Sequence, residues 1–321
     1  MTMITTERIE VVHGFGAYVA EALEGSHDAL GGRRVVVWEN DDQFIAGLPD
    51  AKVILGVRFP DCDWSAAKHL RLIQLAGSGV DGLAPTQPLP ANIEVANSHG
   101  LSAPAMAEYA LAQVLALAKR FPEAWENQAA RKWRHTRPIR LADAQAVVVG
   151  AGPVGQLTAA HLRAIGMTVT GVRRSGRTST SFDQTFGVEQ LDEALAAADV
   201  IVIAVPLTKE TRNLVTGDRL AKLKPGALLV NVSRGGVIDQ SAVGEALRSG
   251  RLGGAALDVF EVEPLPTDDP LWDSPRSLLT PHMSWYSEDY RRSVLDMFVI
   301  NIARIECGES PLNRVDVTRG Y

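Results

Sequence analysis

Side chains suited to acid–base chemistry and to carboxylate binding follow three predicted strands in the C-terminal half of the chain. Arg234 follows one apolar run, Asp258 closes the next with Glu261 and Glu263 just beyond it, and His282 follows the last short strand. Ligands of a doubly wound sheet bind beyond the carboxyl ends of its strands, so we expect these residues to lie at one edge. An arginine there can hold a carboxylate in a bidentate pair, and the two glycines after Arg234 let the backbone approach a ligand closely. A carboxylate beside a histidine favours the imidazolium, which is a suitable proton donor at neutral pH.

A glycine-rich segment precedes this half of the chain. An apolar, β-branched run starts at Ala146 and stops at Gly150, and Gly152 and Gly155 complete the spacing G-x-G-x-x-G before a helix-compatible segment. A strand that ends in this way directs backbone N–H groups and a helix N-terminus at a bound pyrophosphate. The motif inside a repeating strand–helix pattern predicts a nicotinamide dinucleotide as the ligand.

The residues after the second strand of this unit indicate whether NAD(H) or NADP(H) binds. Arg173, Arg174 and Ser175 follow that strand. NAD-binding units usually carry Asp or Glu here, where the carboxylate accepts a hydrogen bond from the ribose 2′-hydroxyl. A carboxylate would repel a 2′-phosphate, whereas two guanidinium groups and a hydroxyl can bind it. The pattern favours NADP(H), with NAD(H) as the alternative.

The segments around these residues alternate regularly between strand and helix. Near-continuous apolar strands indicate a parallel sheet covered on both faces, and therefore an α/β fold. The predicted strands are 146–149, 167–172, 199–205, 226–232, 253–258 and 277–280, and the predicted helices are 153–165, 190–197 and 239–249.

The N-terminal part of the chain predicts a second α/β domain without a glycine fingerprint. Its short apolar strands are residues 8–12, 34–38, 52–56 and 72–75. A last helix, 286–306, crosses back to it. We therefore expect a discontinuous substrate domain, residues 1–100 and 286–321, with the dinucleotide-binding domain, residues 101–285, inserted into it.

One long helix over residues 102–120 is expected between the two domains. Ser102 can cap it, and Pro104 sits in the first turn, where its missing N–H costs little. Residues 105–118 are apolar on nearly every face. The pattern predicts a helix buried all round, either between domains or in a dimer interface.

Composition excludes several classes of protein. The chain has 321 residues, of which 46% are hydrophobic and 22% charged, and its net charge of −6 gives no general attraction to nucleic acid or anionic membranes. Cys62 and Cys307 cannot form a disulfide framework and suit a reducing cytoplasm. No apolar run approaches the roughly 18 residues of a membrane span, and from the residues at the N-terminus we expect no signal peptide. The histidines show no metal-ligand spacing.

Six segments together resemble the D-isomer-specific 2-hydroxyacid dehydrogenases over nearly the whole chain. These segments are residues 75–83, 97–112, 150–155, 231–239, 256–266 and 279–282. Residues 173–175 and 315–321 are most similar to the bacterial NADPH-dependent glyoxylate/hydroxypyruvate reductase branch. The resemblance implies a Rossmann domain inserted into a flavodoxin-like substrate domain. It also implies a homodimer formed largely through the long helix.

The resemblance also assigns roles to residues. It implies that Arg234, Glu263 and His282 are catalytic, and that backbone N–H groups around Ser78 and Gly79 hold the substrate carboxylate. Asp258 is implied to lie near the nicotinamide carboxamide. The residues expected to contact the cofactor are Gly150, Gly152, Pro153, Val154, Gly155, Arg173, Arg174, Ser175, Pro206, Thr211, Val232, Ser233, Arg234, Asp258, His282 and Ser284.

The expected reaction is the NADPH-dependent reduction of a small 2-oxo acid to the D-2-hydroxy acid. Arg234 would fix the carboxylate and polarise the carbonyl, and His282, charged with help from Glu263, would donate the proton. Two features of the substrate's far end stay open. Arg58 is either a contact for a second anionic group or a solvated loop arginine. Trp285, with the residue after it, either walls the substrate pocket or packs at a domain interface.

Two alternatives remain. The first is an NAD-linked dehydrogenase of another substrate class, such as a phosphoglycerate dehydrogenase, against which Arg173 and Arg174 argue. The second is a dinucleotide-sensing corepressor that binds protein partners. The basic run 131–140 would then be its docking patch rather than a solvated linker. The complete set of Arg, Glu and His favours catalysis.

Overall fold

A computed structural model describes residues 8–12, 34–80, 82–83, 89–175 and 179–316 of the chain. The chain divides into two compact units, and each has its own sheet. The first unit takes the described residues up to Ser102 and those from Ser287 onward, and the second is Ala103–Tyr286. The chain therefore leaves the first unit, forms the second, and returns to the first. This is the discontinuous α/β arrangement that the sequence predicts.

The sheet of the first unit has five parallel strands in the order β2-β1-β3-β4-β5. This is the order of flavodoxin-like folds. The fold class expected for this part of the chain is thereby confirmed. The strands are β1 (Arg8–Val12), β2 (Arg34–Trp38), β3 (Val53–Gly56), β4 (Leu72–Leu75) and β5 (Glu94–Ala96).

Two helices accompany this sheet in the described residues, α1 (Asp41–Gly47) and the C-terminal helix α8 (Tyr290–Glu306). On α1, Phe44 meets Trp38 and Trp64 edge-on, with ring centroids 5.2 and 5.8 Å apart. On α8, the buried Asn301 donates to the side chain of the buried Gln74 on β4 at 2.8 Å. Aromatic packing and this buried amide pair fix the two helices to the first sheet.

The second unit contains a seven-stranded parallel sheet in the order β12-β11-β10-β9-β6-β7-β8. Strand order reverses between β6 and β9, as in a Rossmann fold, and a crevice for a dinucleotide opens at such a switch point. The central strands are buried along their whole length, which explains why they are apolar without alternation. The strands are β6 (Gln145–Val149), β7 (Thr168–Val172), β8 (Gln184–Phe186), β9 (Val200–Ile203), β10 (Ala227–Asn231), β11 (Leu252–Leu257) and β12 (Ser277–Leu279).

Helices flank this sheet on both faces. The helices of the second unit are α2 (Ala103–Ala118), α3 (Phe121–Ala129), α4 (Pro153–Ala164), α5 (Leu191–Ala197), α6 (Gly217–Lys222) and α7 (Gln240–Arg248). The described part of the chain holds no helix with the length and apolar character that a membrane span requires.

Within a single chain, part of the surface of the long helix α2 is exposed. Its buried residues, among them Ala110, Val114 and Leu117, pack against α4 and the sheet. Pro104 and Glu108 on another face are exposed within this chain. Among the described residues of the second unit, α2 packs chiefly against α4, β10 and β11. The homodimer expected for the other face stays a prediction.

Candidate active site

Two glycines allow β6, α4 and the loop after β9 to meet. Gly150 has φ +113°, a conformation that L side chains rarely adopt, and a Cβ there would overlap the carbonyl oxygen of Ala204. A Cβ at Gly155 would overlap the carbonyl oxygen of Gly150. The fingerprint glycines at these two positions are therefore required by close backbone approach within the protein.

The N-terminus of α4 lies at the switch point of the sheet and suits an anion. Gly152 is the N-cap, and in the described part of the chain no side chain caps the helix. A Cβ at Gly152 would meet none of the described atoms within 4 Å, so the space in front of this residue is open. Pro153 lacks an N–H, and the N–H groups of Val154 and Gly155 follow it at the positive end of the helix dipole. This open helix end fits the pyrophosphate of a dinucleotide.

The basic residues after β7 lie at the same edge of the sheet. Arg173 is half-buried, and its backbone N–H donates to Phe186 O at 3.1 Å, whereas Arg174 and Ser175 are exposed. A carboxylate that sequence reasoning missed lies within electrostatic range of Arg174. The Thr208 hydroxyl lowers the pKa of Glu210 most, and Arg174 lowers it further. The negative charge of Glu210 therefore acts on the same cation that a 2′-phosphate would need.

The loop after β9 contains two further residues expected at the cofactor, Pro206 and Thr211. The Thr211 hydroxyl donates to Pro206 O at 2.6 Å and accepts from the Thr208 N–H at 2.7 Å. These hydroxyl contacts brace the loop itself. A contact between Thr211 and the cofactor stays a prediction.

A buried asparagine shapes the turn that carries Arg234. Asn231, the last residue of β10, is fully buried. Its Oδ1 accepts from the Ser233 N–H and hydroxyl at 3.0 and 2.8 Å, and its Nδ2 donates to Arg234 O at 3.1 Å. Val232 and Ser233 are buried as well, whereas the Arg234 side chain is half-buried and donates to Ser233 O at 2.8 Å. The role of Asn231 in this turn was not predicted from the sequence, although an asparagine at a strand end is a known signal for a turn.

Gly235, the glycine after Arg234, lies against another loop of the protein. A Cβ at Gly235 would overlap the backbone of Phe260. Protein backbone therefore occupies the space that the missing side chain leaves, and the approach of this glycine's backbone to a ligand stays a prediction. The close approach of Gly235 to Phe260 joins the loop of Arg234 to the loop that carries Glu263.

His282 and Glu263 form a pair. His282 Nδ1 lies 2.8 Å from Glu263 Oε2, and Oε1 of the same carboxylate accepts from the Phe260 N–H at 2.9 Å. The two side chains are 37% and 35% exposed, so a ligand can reach them. Because Nδ1 faces the carboxylate, the proton that the imidazole can give to a substrate is the one on Nε2.

Asp258 lies beneath the loop of His282 and is fully buried. Its Oδ1 accepts from the Thr280 hydroxyl at 2.7 Å and from the Met283 N–H at 2.9 Å. Its Oδ2 accepts from the Ser284 N–H at 2.9 Å, and Ser284 is buried too. In this structure the carboxylate binds the loop, and its expected place near the nicotinamide carboxamide stays a prediction.

Trp285 fastens the other side of this loop. Its indole N–H donates to His282 O at 2.8 Å, and its ring meets Tyr286 edge-on with centroids 5.6 Å apart. Trp285 is half-buried and Tyr286 exposed. The hydrogen bond gives Trp285 a structural task at His282, and a contact with substrate stays a prediction.

In the first unit, Ser78, Gly79 and Arg58 follow the neighbouring strands β4 and β3 at their carboxyl ends. Ser78 O accepts from the side chain of the buried Asn97 at 2.8 Å, which anchors the loop. Arg58 is exposed. These residues lie where a parallel sheet places ligands, and their predicted contacts with substrate remain to be tested.

Comparison with known proteins identifies the family. Residues 111–284 match the family model of the D-isomer specific 2-hydroxyacid dehydrogenase, NAD binding domain. The glyoxylate/hydroxypyruvate reductase A of Serratia proteamaculans is 32% identical over 259 residues, which cover 79% of this chain and 82% of that protein. The D-3-phosphoglycerate dehydrogenase of Archaeoglobus fulgidus is 33% identical over 256 residues, 78% of this chain but 48% of that protein.

A solved structure is similar to this chain along nearly its whole length. The D-isomer specific 2-hydroxyacid dehydrogenase of Xanthobacter autotrophicus, in complex with NADPH and MES, is 34% identical, with a TM-score of 0.87. The match covers 99% of this chain and 100% of that one. The chain therefore belongs to the D-isomer specific 2-hydroxyacid dehydrogenases, a family of NAD(P)-dependent oxidoreductases.

Proposed function

We propose that this enzyme reduces a small 2-oxo acid of the glyoxylate or hydroxypyruvate type to the D-2-hydroxy acid with NADPH. The observation that carries this proposal is the His282–Glu263 pair, 2.8 Å apart. It lies on the edge of the sheet to which Arg234 and the open N-terminus of α4 also belong. The bound dinucleotide supplies the hydride.

The chain's own residues then do two things. The Arg234 guanidinium binds the substrate carboxylate and stabilises the negative charge that develops on the carbonyl oxygen. His282 gives that oxygen the proton on Nε2, so that the carbonyl becomes a hydroxyl. Glu263, bound to Nδ1 and to the Phe260 N–H, orients the imidazole and stabilises its charged form.

The preference for NADPH rests on the residues after β7. Arg173, Arg174 and Ser175 offer two cations and a hydroxyl to a 2′-phosphate, and no carboxylate stands among them. The structure of the Xanthobacter relative contains NADPH, which supports the same preference. Glu210 opposes it, because a carboxylate near Arg174 competes with the phosphate.

The size of the substrate is inferred from the relative in Serratia, whose name gives glyoxylate and hydroxypyruvate. Ser78 and Gly79 are proposed to bind the carboxylate through their backbone N–H groups. Arg58 and Trp285 are the proposed contacts for the far end of the acid. We also propose a homodimer in which a second copy covers the exposed face of α2, a proposal that light scattering after gel filtration tests.

A second candidate is an NAD-linked dehydrogenase that acts on D-3-phosphoglycerate. The relative in Archaeoglobus favours it, although the chain spans about half the length of that protein. Arg58 would then suit the phosphate. The family assignment and the paired His282 and Glu263 favour either enzyme over a corepressor.

The test is the loss of NADPH absorbance, and separately of NADH absorbance, with glyoxylate, hydroxypyruvate, pyruvate and phenylpyruvate. D-3-phosphoglycerate with NAD⁺ is the test of the second candidate. We expect the highest kcat/KM with NADPH as the cofactor and either glyoxylate or hydroxypyruvate as the substrate. A clear preference for NADH would contradict the cofactor proposal and leave the catalytic residues in place. Turnover of D-3-phosphoglycerate alone would replace the first function by the second.

A further inference from the structure

A chain of hydrogen bonds runs from the long helix α2 to the loop that carries His282. We call residues 280–285 the histidine loop. Tyr109 on α2 bonds through its hydroxyl to the hydroxyl of Thr280, although 171 positions separate them. The Thr280 hydroxyl also bonds to Asp258 Oδ1 at 2.7 Å. Asp258 in turn accepts from the N–H groups of Met283 and Ser284, both at 2.9 Å.

The direction of each hydrogen bond follows from the chemistry of the groups. Asp258 is surrounded by donors: two backbone N–H groups and one hydroxyl. The hydroxyl of Thr280 has a single proton, and this proton goes to the carboxylate. Tyr109 must therefore donate to Thr280. The chain is polarised from Tyr109 through Thr280 to Asp258, and each donor strengthens the next bond.

Tyr109 keeps the proton that this role needs. Burial raises the pKa of Tyr109 to about 12, so the phenol stays a donor at neutral pH. Its helix is fixed within the second unit by the buried Ala110 and Val114, which belong to the core cluster around the sheet. The donor at the start of the chain is therefore held by the packing of the domain core.

The histidine loop needs such support because of its backbone. His282 has φ +51°, a left-handed conformation that costs a non-glycine residue free energy. Its N–H donates to Asp258 O at 2.8 Å, so Asp258 holds His282 by its backbone and the next two residues by its side chain. Left-handed residues at active sites persist where the surrounding structure holds them.

We propose that Tyr109 is a positioning residue for His282. Through the hydroxyl of Thr280 it sets the place of the Asp258 carboxylate, and that carboxylate keeps the histidine loop in the left-handed turn that presents the imidazole to Glu263. The role in turnover rests on the proposed function, in which His282 donates the proton. The role in loop structure does not depend on it.

The experiment compares variants that differ by a hydroxyl. Thr280→Val removes the hydroxyl at nearly constant volume, Thr280→Ser keeps it, and Tyr109→Phe removes the first donor. The matched control is Thr158→Val, because the buried Thr158 hydroxyl has no hydrogen-bond partner among the described residues. Backbone amide exchange at Met283 and Ser284 reports the loop, and kcat, KM and dinucleotide Kd report the site.

We expect amide exchange at Met283 and Ser284 to be roughly ten-fold faster in Thr280→Val and Tyr109→Phe. The loss of one hydrogen bond raises the equilibrium constant for local opening of the loop by about that factor, and the exchange rate rises with it. We expect kcat to fall by about the same factor in both variants, with KM and dinucleotide Kd within about two-fold. Thr280→Ser and Thr158→Val should resemble the wild type in exchange and turnover.

Unchanged exchange in both Thr280→Val and Tyr109→Phe would overturn the proposal. Exchange in Thr280→Ser as fast as in Thr280→Val would also overturn it, because the hydroxyl would then not be the determinant. If the wild type reduces no 2-oxo acid with either cofactor, the proposed function fails, while amide exchange still decides whether Tyr109 holds the loop.

Discussion

Glu263 Oε2 lies 2.8 Å from His282 Nδ1 and joins the loop after β11 to the end of β12. The other oxygen of this carboxylate is held by the Phe260 N–H at 2.9 Å. The position of the imidazole is therefore set on one side by a fixed carboxylate, and on the other by the indole of Trp285, which donates to His282 O. A histidine held in this way keeps Nε2 toward whatever occupies the site.

The first prediction concerns Glu263→Gln. Glutamine keeps the shape of the side chain but removes the charge that favours the imidazolium, so we expect kcat to fall by about 10- to 100-fold. KM for the 2-oxo acid should change by less. Steady-state kinetics at saturating NADPH measure both constants.

The control is Glu261→Gln, which removes a neighbouring exposed carboxylate. The Glu261 backbone N–H, which donates to the Gln240 side chain, is kept in this variant. We expect wild-type turnover for it. Equal losses in the two variants would point to the charge of the whole loop rather than to the pair with His282.

The second prediction separates the two kinds of glycine in the fingerprint. A Cβ at Gly155 would overlap the carbonyl oxygen of Gly150, so Gly155→Ala should lower the free energy of unfolding by about 2 kcal/mol or more. At Gly152 the φ of −76° suits alanine, and a Cβ would meet no described atom within 4 Å. We expect Gly152→Ala to fold normally but to bind dinucleotide at least about ten-fold more weakly, because the methyl group takes space in front of the helix end.

Urea unfolding and a dinucleotide titration measure these effects. Wild-type dinucleotide affinity in Gly152→Ala would contradict the prediction that the pyrophosphate binds at the N-terminus of α4. Wild-type stability in Gly155→Ala would mean that helix and strand can separate at no cost.

The third prediction concerns Arg174 and Glu210, whose charges interact because Arg174 contributes to the lowered pKa of Glu210. Arg174→Ala should weaken NADPH binding by about ten-fold and leave NADH binding nearly unchanged, because only NADPH carries the 2′-phosphate. Glu210→Gln should act in the opposite direction and tighten NADPH binding. Titrations with both cofactors at low and high salt measure this, and equal effects on NADPH and NADH would exclude a contact with the phosphate.

The fourth prediction concerns the reactivity of the cysteines. Burial, with Asp61 and Asp63 nearby, raises the pKa of the Cys62 thiol to about 11. Only the thiolate is alkylated, and at pH 8 a group with that pKa is about 0.1% thiolate, so Cys62 should react slowly and about ten-fold faster per pH unit up to pH ~10. The exposed Cys307 is the internal comparison. Mass spectrometry of iodoacetamide-treated protein follows both sites, and faster labelling of Cys62 than of Cys307 at pH 8 would contradict the assignment.

The parts of the fold that depend on local pattern could be predicted from the sequence. The central strand β9 is buried along its length and therefore shows as an unbroken apolar run. The strands β5 and β8, with three residues each, were missed, although the equally short β12 was predicted. The helix α3, which contains Pro122 and has a mostly exposed surface, was missed as well. Three residues carry little periodicity, so strands of this length are easily taken for loops.

The candidate site shows the same division. His282 and Arg234 were found because they follow apolar strands, which a sequence displays. The chain from Tyr109 through Thr280 to Asp258 was not found, because its partners lie 171 and 22 positions apart and meet only in the folded domain. For the same reason the close approach of Gly235 to the backbone of Phe260 was not predicted.

The most direct test of the account is turnover of glyoxylate and hydroxypyruvate by His282→Ala, with NADPH affinity measured separately. His69→Ala, which removes an exposed histidine of the first unit, is the control. Loss of a general acid should lower kcat by a factor of about 10² to 10⁴ while NADPH binds nearly as in the wild type. Unchanged turnover of His282→Ala at saturating substrate would contradict the account, because another group would then have to donate the proton.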